Sequence, residues 1–221
     1  MPEQLPLNLS YRPSYGRGDF LVSPCNREAV LWIDKYPYWP VPAVIICGEK
    51  GSGKSHLAAI FSQLRLEGSL LTDEIALSIT QSGLRIVVEN IDRLQDERAL
   101  FYLYNHVINR GGALLMTARH IPEFRLKDLQ SRMNAVPKIQ ISTPDEELMY
   151  AVLYKAFQDR GLIIDPKVIE YTILRVPRSF WALQRVMEQA DLLSLSRGQR
   201  ITIPLMRIAL VRAASEIYGQ K

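Results

Sequence analysis

One eight-residue segment has the residue types and spacing of a loop that binds phosphate. It follows the pattern G-x-x-x-x-G-K-[ST], and its members are Gly48, Glu49, Lys50, Gly51, Ser52, Gly53, Lys54 and Ser55. Glycines let backbone N–H groups curl around phosphate oxygens, and the N-terminus of a following helix adds a favourable dipole. The Lys54 ammonium would neutralise the β- and γ-phosphates, and the Ser55 hydroxyl would bind Mg²⁺. The pattern therefore predicts ATP or ADP, together with Mg²⁺, as cofactors.

The sequences on either side of this loop predict a strand before it and a helix after it, as phosphate binding needs. The apolar run Ala43–Cys47 predicts a buried strand before the loop, and residues 54–66 have a helical pattern after it. A strand, a glycine-rich turn and a helix in this order are the structural setting of phosphate loops. The alternative is a glycine-rich turn that arose by chance, and the flanking elements favour nucleotide binding over it.

A second chemically informative position stands at the end of a later apolar run, where Glu89 and Asn90 follow residues 85–88. Glu89 stands where the magnesium-associated acid, usually Asp, is expected, and its extra methylene would alter the geometry at the metal. Asn90 stands where many ATPases carry an acid that polarises water. It can orient a water molecule but cannot accept its proton. The alternative is that both are only polar residues at a strand end.

Composition excludes several classes of protein. The chain has 221 residues, a formal net charge of +4, 48% hydrophobic residues and two cysteines. These values exclude disordered, collagen-like and disulfide-rich classes, and the charge is too small to indicate nucleic acid by itself. No apolar run approaches the ~20 residues of a spanning helix, and no secretory signal is visible at the N-terminus. We therefore expect a cytoplasmic protein without a membrane partner.

The pattern of elements predicts an α/β core followed by a helical region. Residues 1–18 are expected to form an extended tail, residues 19–142 a core with a parallel sheet, and residues 143–221 an all-helical subdomain. The predicted strands are 43–47, 84–88 and 113–116, with a weaker one at 69–72. The predicted helices are 54–66 and 96–109 in the core, and 144–159, 166–175, 178–195 and 204–217 in the helical region.

Several further segments resemble the DnaA clade of bacterial AAA+ ATPases, and most specifically its Hda-type regulators. The resemblance covers about residues 4–217. The segments that carry it are 19–22 with 26–29 (DFLV and NREA), 128–132 (DLQSR), 176–180 (VPRSF) and 201–204 (ITIP). It implies an AAA+ P-loop NTPase core with a small helical lid. In DnaA a DNA-binding domain follows the lid, and no such domain is expected here.

The resemblance implies roles for two arginines. Arg132 would be an arginine finger, which acts in trans on the nucleotide of a neighbouring subunit, and Arg178 would be the sensor-2 residue of the lid. A solvated helix-end residue and a simple helix cap are the alternatives. One position departs from the family pattern, because Arg119 replaces the sensor-1 acid. Together with Glu89 and Asn90, Arg119 predicts weak intrinsic ATPase activity, so enzyme status stays open.

The first residues form a candidate docking peptide. After Gln4, leucines recur at every second position, at Leu5, Leu7 and Leu9. Pro6 disfavours a helix and suits an extended peptide. The segment resembles the peptide by which Hda-type proteins bind the replicative sliding clamp. The alternative is a first strand that pairs with the protein's own sheet.

The resemblance implies a regulator of replication. It would bind nucleotide and the sliding clamp (the β subunit of the DNA polymerase), stimulate hydrolysis of DnaA-bound ATP, and so repress re-initiation. A homo-oligomer, such as a dimer, is also implied. The alternatives are a targeting adaptor that does not stimulate hydrolysis, a DNA-binding helicase-loader-type ATPase and an independent motor. Residues 143–221 carry 11 Lys and Arg against 9 Asp and Glu, so no basic stripe favours direct sequence-specific DNA binding.

Overall fold

The computed structural model describes residues 16–79 and 81–219, which fall into two compact units. Residues 16–142 lie in one unit and residues 143–219 in the other. No helix among these residues is long and apolar enough to cross a membrane.

The first unit is built around a parallel sheet of five strands. The strands are β1 (Ala43–Cys47), β2 (Leu64–Glu67), β3 (Arg85–Glu89), β4 (Ala113–Ala118) and β5 (Lys138–Gln140). Their order across the sheet is β2-β3-β4-β1-β5, and all neighbouring pairs are parallel. Parallel pairing brings the carboxyl ends of all five strands to one edge. The predicted α/β class with a parallel sheet is confirmed.

Five helices and three short 3₁₀ turns complete this unit. The helices are α1 (Arg27–Lys35), α2 (Lys54–Phe61), α3 (Asp73–Ser78), α4 (Glu97–Asn109) and α5 (Lys127–Ala135), and the turns are Arg17–Asp19, Gly68–Leu70 and Ile91–Arg93. Side chains of β1 alternate between two apolar clusters. Val44 and Ile46 pack in one, and Ile45 and Cys47 in the other. This two-sided burial explains the continuous apolar run, because neither face of a central parallel strand meets water.

Two predicted elements of the core are wrong. The predicted helix 54–66 ends at Phe61, and the predicted strand 69–72 is replaced by the 3₁₀ turn Gly68–Leu70. The strand of this region is β2, five residues before the predicted strand. Leu64 and Leu66 pack against the core while Arg65 between them is exposed, and this period of two is the pattern of a half-buried edge strand.

The second unit contains four helices, as predicted. They are α6 (Glu146–Gln158), α7 (Pro166–Ile173), α8 (Phe180–Arg197) and α9 (Ile203–Tyr218). The predicted start of α6 at residue 144 is wrong, because Asp145 is the N-cap and its Oδ1 accepts from the Leu148 N–H at 2.7 Å. Asp165 and Ser179 cap α7 and α8 in the same way. The helices surround an apolar cluster that includes the fully buried Phe157.

Gly68 is expected to be intolerant of a side chain. A Cβ at this position would lie 2.7 Å from the Asn90 carbonyl oxygen and 2.9 Å from that of Glu89, both of which are backbone atoms. Gly68→Ala should therefore lower the free energy of unfolding by about 1–3 kcal/mol, the usual cost of overpacking. Gly18→Ala is the matched control. Nothing lies within 4 Å of its Cβ, so a change within about 0.5 kcal/mol is expected. Equal urea denaturation curves for the two variants would contradict this account.

Candidate nucleotide-binding site

The phosphate loop connects β1 to α2, as the motif predicts. Cys47 ends β1, and burial raises the pKa of its thiol to about 11, so the group that leads into the loop is neutral. Gly51 and Gly53 have φ angles of 79° and 92°, in the left-handed region that other residues rarely adopt. A Cβ on Gly53 would also lie 2.8 Å from the ring of Phe20. Backbone conformation and close packing therefore both require glycine at position 53.

Lys54 is held inside the loop that it belongs to. Its side chain is largely buried, with 7% of the residue exposed, and Nζ donates to the carbonyl oxygens of Gly48 at 2.6 Å and Glu49 at 2.9 Å. Burial lowers the pKa of Lys54, the positive charge of Arg119 lowers it further, and the carboxylate of Asp92 opposes both effects. Arg119 and Asp92 therefore act on the electrostatics of the phosphate loop.

Ser55 and Glu89 meet across the space between α2 and β3. The Ser55 hydroxyl donates to Glu89 Oε2 at 2.5 Å, and Arg65 forms an ion pair with Oε1 of the same carboxylate. Glu89 is 5% exposed. A hydroxyl and a carboxylate are hard oxygen donors of the kind that Mg²⁺ prefers, and the sequence predicts a magnesium site from them, but here both oxygens of the carboxylate already accept hydrogen bonds. Within the described part of the chain, no group of three or more His, Cys, Asp or Glu forms a metal cluster.

Asn90 has an unusual backbone and a fixed side chain. Its φ of 55° is left-handed, and its backbone N–H donates to Thr117 Oγ1 at 3.1 Å. The side-chain Nδ2 donates to both oxygens of Glu67, at 2.9 and 3.1 Å. The amide is therefore directed towards β2. The role of Asn90 in orienting a water molecule stays a prediction.

Three residues beside the site were missed by sequence reasoning, namely Arg65, Glu67 and Asp92. Asp92 Oδ1 accepts from the backbone N–H of Arg119 at 3.0 Å, which joins the end of β4 to the 3₁₀ turn after β3. Arg65 and Glu67 went unnoticed because residues 64–66 were assigned to a helix. The alternation of Leu64, Arg65, Leu66 and Glu67 was the available signal, since it places the two charged side chains on one face of a strand.

Arg132 is anchored on α5 against α4. Its Nε donates to Asn105 Oδ1 at 3.0 Å, and its Nη1 donates to the backbone carbonyl of Asp128 at 3.2 Å. The guanidinium carbon lies 4.5 Å from the centre of the Phe101 ring, a cation–π contact. The side chain is partly exposed rather than freely solvated.

Arg178 lies in the helical unit, two residues before α8. Its Nη2 donates to Glu146 Oε1 at 2.6 Å, and 62% of its side chain is exposed. This ion pair connects the first residue of α6 to the segment that enters α8. The predicted clamp-binding residues Gln4, Leu5, Leu7 and Leu9 lie outside the described residues.

Comparison with solved structures identifies the fold. Domain III of the replication initiation protein DnaA from Thermotoga maritima matches with a TM-score of 0.74 at 17% identity, covering 91% of this chain and 97% of that one. The RuvB Holliday junction branch migration motor from the same organism matches with a TM-score of 0.65 at 14% identity, covering 84% and 66%. The fold is thus that of an AAA+ P-loop NTPase core followed by a small helical lid.

Sequence comparisons narrow this class. Residues 145–210 match a family model described as Hda, lid domain. An uncharacterised protein of Haemophilus influenzae is 29% identical over 185 residues, 75% of this chain and 80% of that protein. The chromosomal replication initiator DnaA of Rippkaea orientalis is 23% identical over 237 residues, 91% of this chain and 51% of that protein. Residues 145–210 of this chain are thus similar to the lid domain of Hda, and the chain spans about half the length of this DnaA relative.

Proposed function

We propose that this DnaA-related regulator binds ATP or ADP with Mg²⁺, docks on the sliding clamp, and stimulates hydrolysis of the ATP bound to the initiator DnaA. The observation that carries the proposal is the restraint on Arg132. A partly exposed guanidinium held by a side-chain amide, a backbone carbonyl and an aromatic ring is prepared for presentation to an anionic partner. Stimulation in trans would convert the ATP form of the initiator to the ADP form and repress re-initiation.

The proposed chemistry at the partner's nucleotide is electrostatic. Phosphoryl transfer spreads negative charge over the γ-phosphate oxygens, and a fixed guanidinium offsets that charge as it develops. Arg132 is the group assigned to this step. Its planar fork can donate two parallel hydrogen bonds, which a lysine cannot do.

The chain's own site supports holding a nucleotide more than hydrolysing one. Lys54 and the loop N–H groups are assigned to the phosphates, and the Ser55 hydroxyl is assigned to an accompanying Mg²⁺. Asn90 and Arg119 occupy positions where a carboxylate base is usual, and neither can accept a proton from water. We therefore assign weak intrinsic ATPase activity to this chain. A nucleotide contact for Arg178 and self-association into a homodimer belong to the same proposal.

Lys54→Ala tests the nucleotide part of the proposal. Removing a charged donor from the phosphate loop should weaken ATP and ADP binding by about 10- to 100-fold, from the roughly 1.5–3 kcal/mol of a hydrogen bond to a charged group. Isothermal titration calorimetry measures this change. Lys35→Ala, at the exposed end of α1, serves as the control and should bind normally. Unchanged affinity in a folded Lys54→Ala protein would remove the nucleotide assignment.

Arg132→Ala tests stimulation in trans. Hydrolysis of DnaA-bound ATP, measured with DNA-loaded clamp, should fall by at least about 100-fold, since arginine fingers contribute roughly 10³–10⁵ in rate. Clamp binding and nucleotide affinity should survive. Arg132→Lys should restore little, and Arg207→Ala, an exposed arginine of α9, should behave as wild type. Normal stimulation by Arg132→Ala would favour a targeting adaptor that does not activate hydrolysis.

Removal of residues 1–9 tests clamp docking. Binding to immobilised clamp, measured by surface plasmon resonance, should be lost because the extended peptide supplies the apolar side chains that enter a groove. Nucleotide affinity and thermal stability should be retained. A Gln4→Ala/Leu5→Ala double variant should reproduce most of the loss, and Pro2→Ala/Glu3→Ala should not. Persistent binding after the deletion would show that another surface docks on the clamp.

A further inference from the structure

The edge strand β2 places one basic and one acidic side chain, Arg65 and Glu67, beside the end of β3. Arg65 and Glu67 are two residues apart and face the same side of the sheet, and the register pairs Glu67 with Glu89. Arg65 forms an ion pair with Glu89, while Asn90 donates to Glu67. The carboxylate assigned to the magnesium site is thus matched by a cation from the neighbouring strand.

This pairing limits what Glu89 can offer to a metal ion. Arg65 takes Oε1 and the Ser55 hydroxyl takes Oε2, so each carboxylate oxygen already accepts a hydrogen bond. The acid is buried while 41% of the Arg65 side chain is exposed, so the guanidinium neutralises a carboxylate that water scarcely reaches. A dication that approaches Glu89 meets a pair with no net charge and a guanidinium that repels it.

Fixed cations also surround the place assigned to the phosphates. Lys54 belongs to the loop itself. Arg119 directly follows Ala118, whose carbonyl oxygen accepts from the N–H of Gly48 at 3.2 Å, and the Arg119 backbone is tied to Asp92. The loop therefore carries one cationic residue, and a second stands at the strand end beside it, where many P-loop proteins depend on the metal.

We propose that Arg65 is a positioning residue that holds Glu89 in place of Mg²⁺, so that nucleotide binding to this chain depends little on magnesium. The proposal rests on the nucleotide binding proposed above and adds a property of that site. Arg65 touches neither a phosphate nor a reacting atom in this account. It acts through Glu89, by competing with the dication for the carboxylate.

The test measures ADP affinity with magnesium and with chelator present. A fluorescent N-methylanthraniloyl derivative of ADP is titrated with the full chain in MgCl₂ and in EDTA. Wild type should change its dissociation constant by less than about threefold between the two conditions, whereas Arg65→Gln should change by about tenfold or more. Freed from its partner, Glu89 can attract the ion. Mn²⁺, followed by electron paramagnetic resonance in the presence of ADP, should bind Arg65→Gln about tenfold more tightly than wild type.

Two control variants distinguish the effect of the Arg65 charge from the effect of a structural change. Arg85→Gln removes an arginine from the opposite end of β3, which lies over Tyr36, and should match wild type in both conditions. Arg65→Lys keeps the charge and should remain nearly insensitive to EDTA. If Arg65→Lys behaved like Arg65→Gln, charge would not be the cause and the proposal would be overturned.

Wild type provides a decisive result that needs no variant. A loss of ADP affinity of tenfold or more in EDTA would overturn the role of Arg65 while leaving nucleotide binding intact. Failure of wild type to bind ADP in either condition would overturn the nucleotide assignment and this inference with it. The two failures are therefore distinguishable.

Discussion

The hydrogen bond between Ser55 and Glu89 joins the two parts of the sequence on which the site depends. Ser55 is the second residue of α2, and Glu89 is the last residue of β3, 34 positions later in the chain. The contact exists because parallel pairing brings the carboxyl end of β3 to the same edge as the end of β1, where the phosphate loop begins. Both residues must be correctly placed before the loop, the metal ligands and the acid can act together.

Two kinds of position lie at this edge of the sheet, those assigned to ligand binding and those that would transfer a proton. The residues assigned to phosphate and metal lie on the loop and at the end of β3, where Lys54 and Glu89 are buried. The positions that would move a proton from water hold an amide and a guanidinium instead, and the amide is directed towards Glu67. A site with these features retains a ligand better than it transforms one. The proposed stimulation of hydrolysis is assigned instead to Arg132 on α5.

Sequence reasoning predicted the parts of this fold that have strong local signals. The continuous apolar run of β1 predicted a buried strand, the phosphate-loop pattern predicted the turn between β1 and α2, and a helix start was predicted at residue 166. It failed where the signal depends on a partner strand. The strand Leu64–Glu67 is short and half-buried, and the apolar–charged alternation of its residues was assigned mostly to the preceding helix. Arg65 and Glu67 could not be placed beside the site without the β2–β3 register, which is a long-range property of the sheet.

The restraint on Arg132 has a consequence for the thermodynamics of association. A freely moving arginine loses about 2 kcal/mol of rotamer entropy when a partner fixes its side chain. Here Asn105, the Asp128 carbonyl and the Phe101 ring limit that freedom in the isolated chain. Folding of the chain thus already removes most of this side-chain entropy. A partner that accepts the guanidinium would lose less free energy to ordering it, and its affinity would be higher.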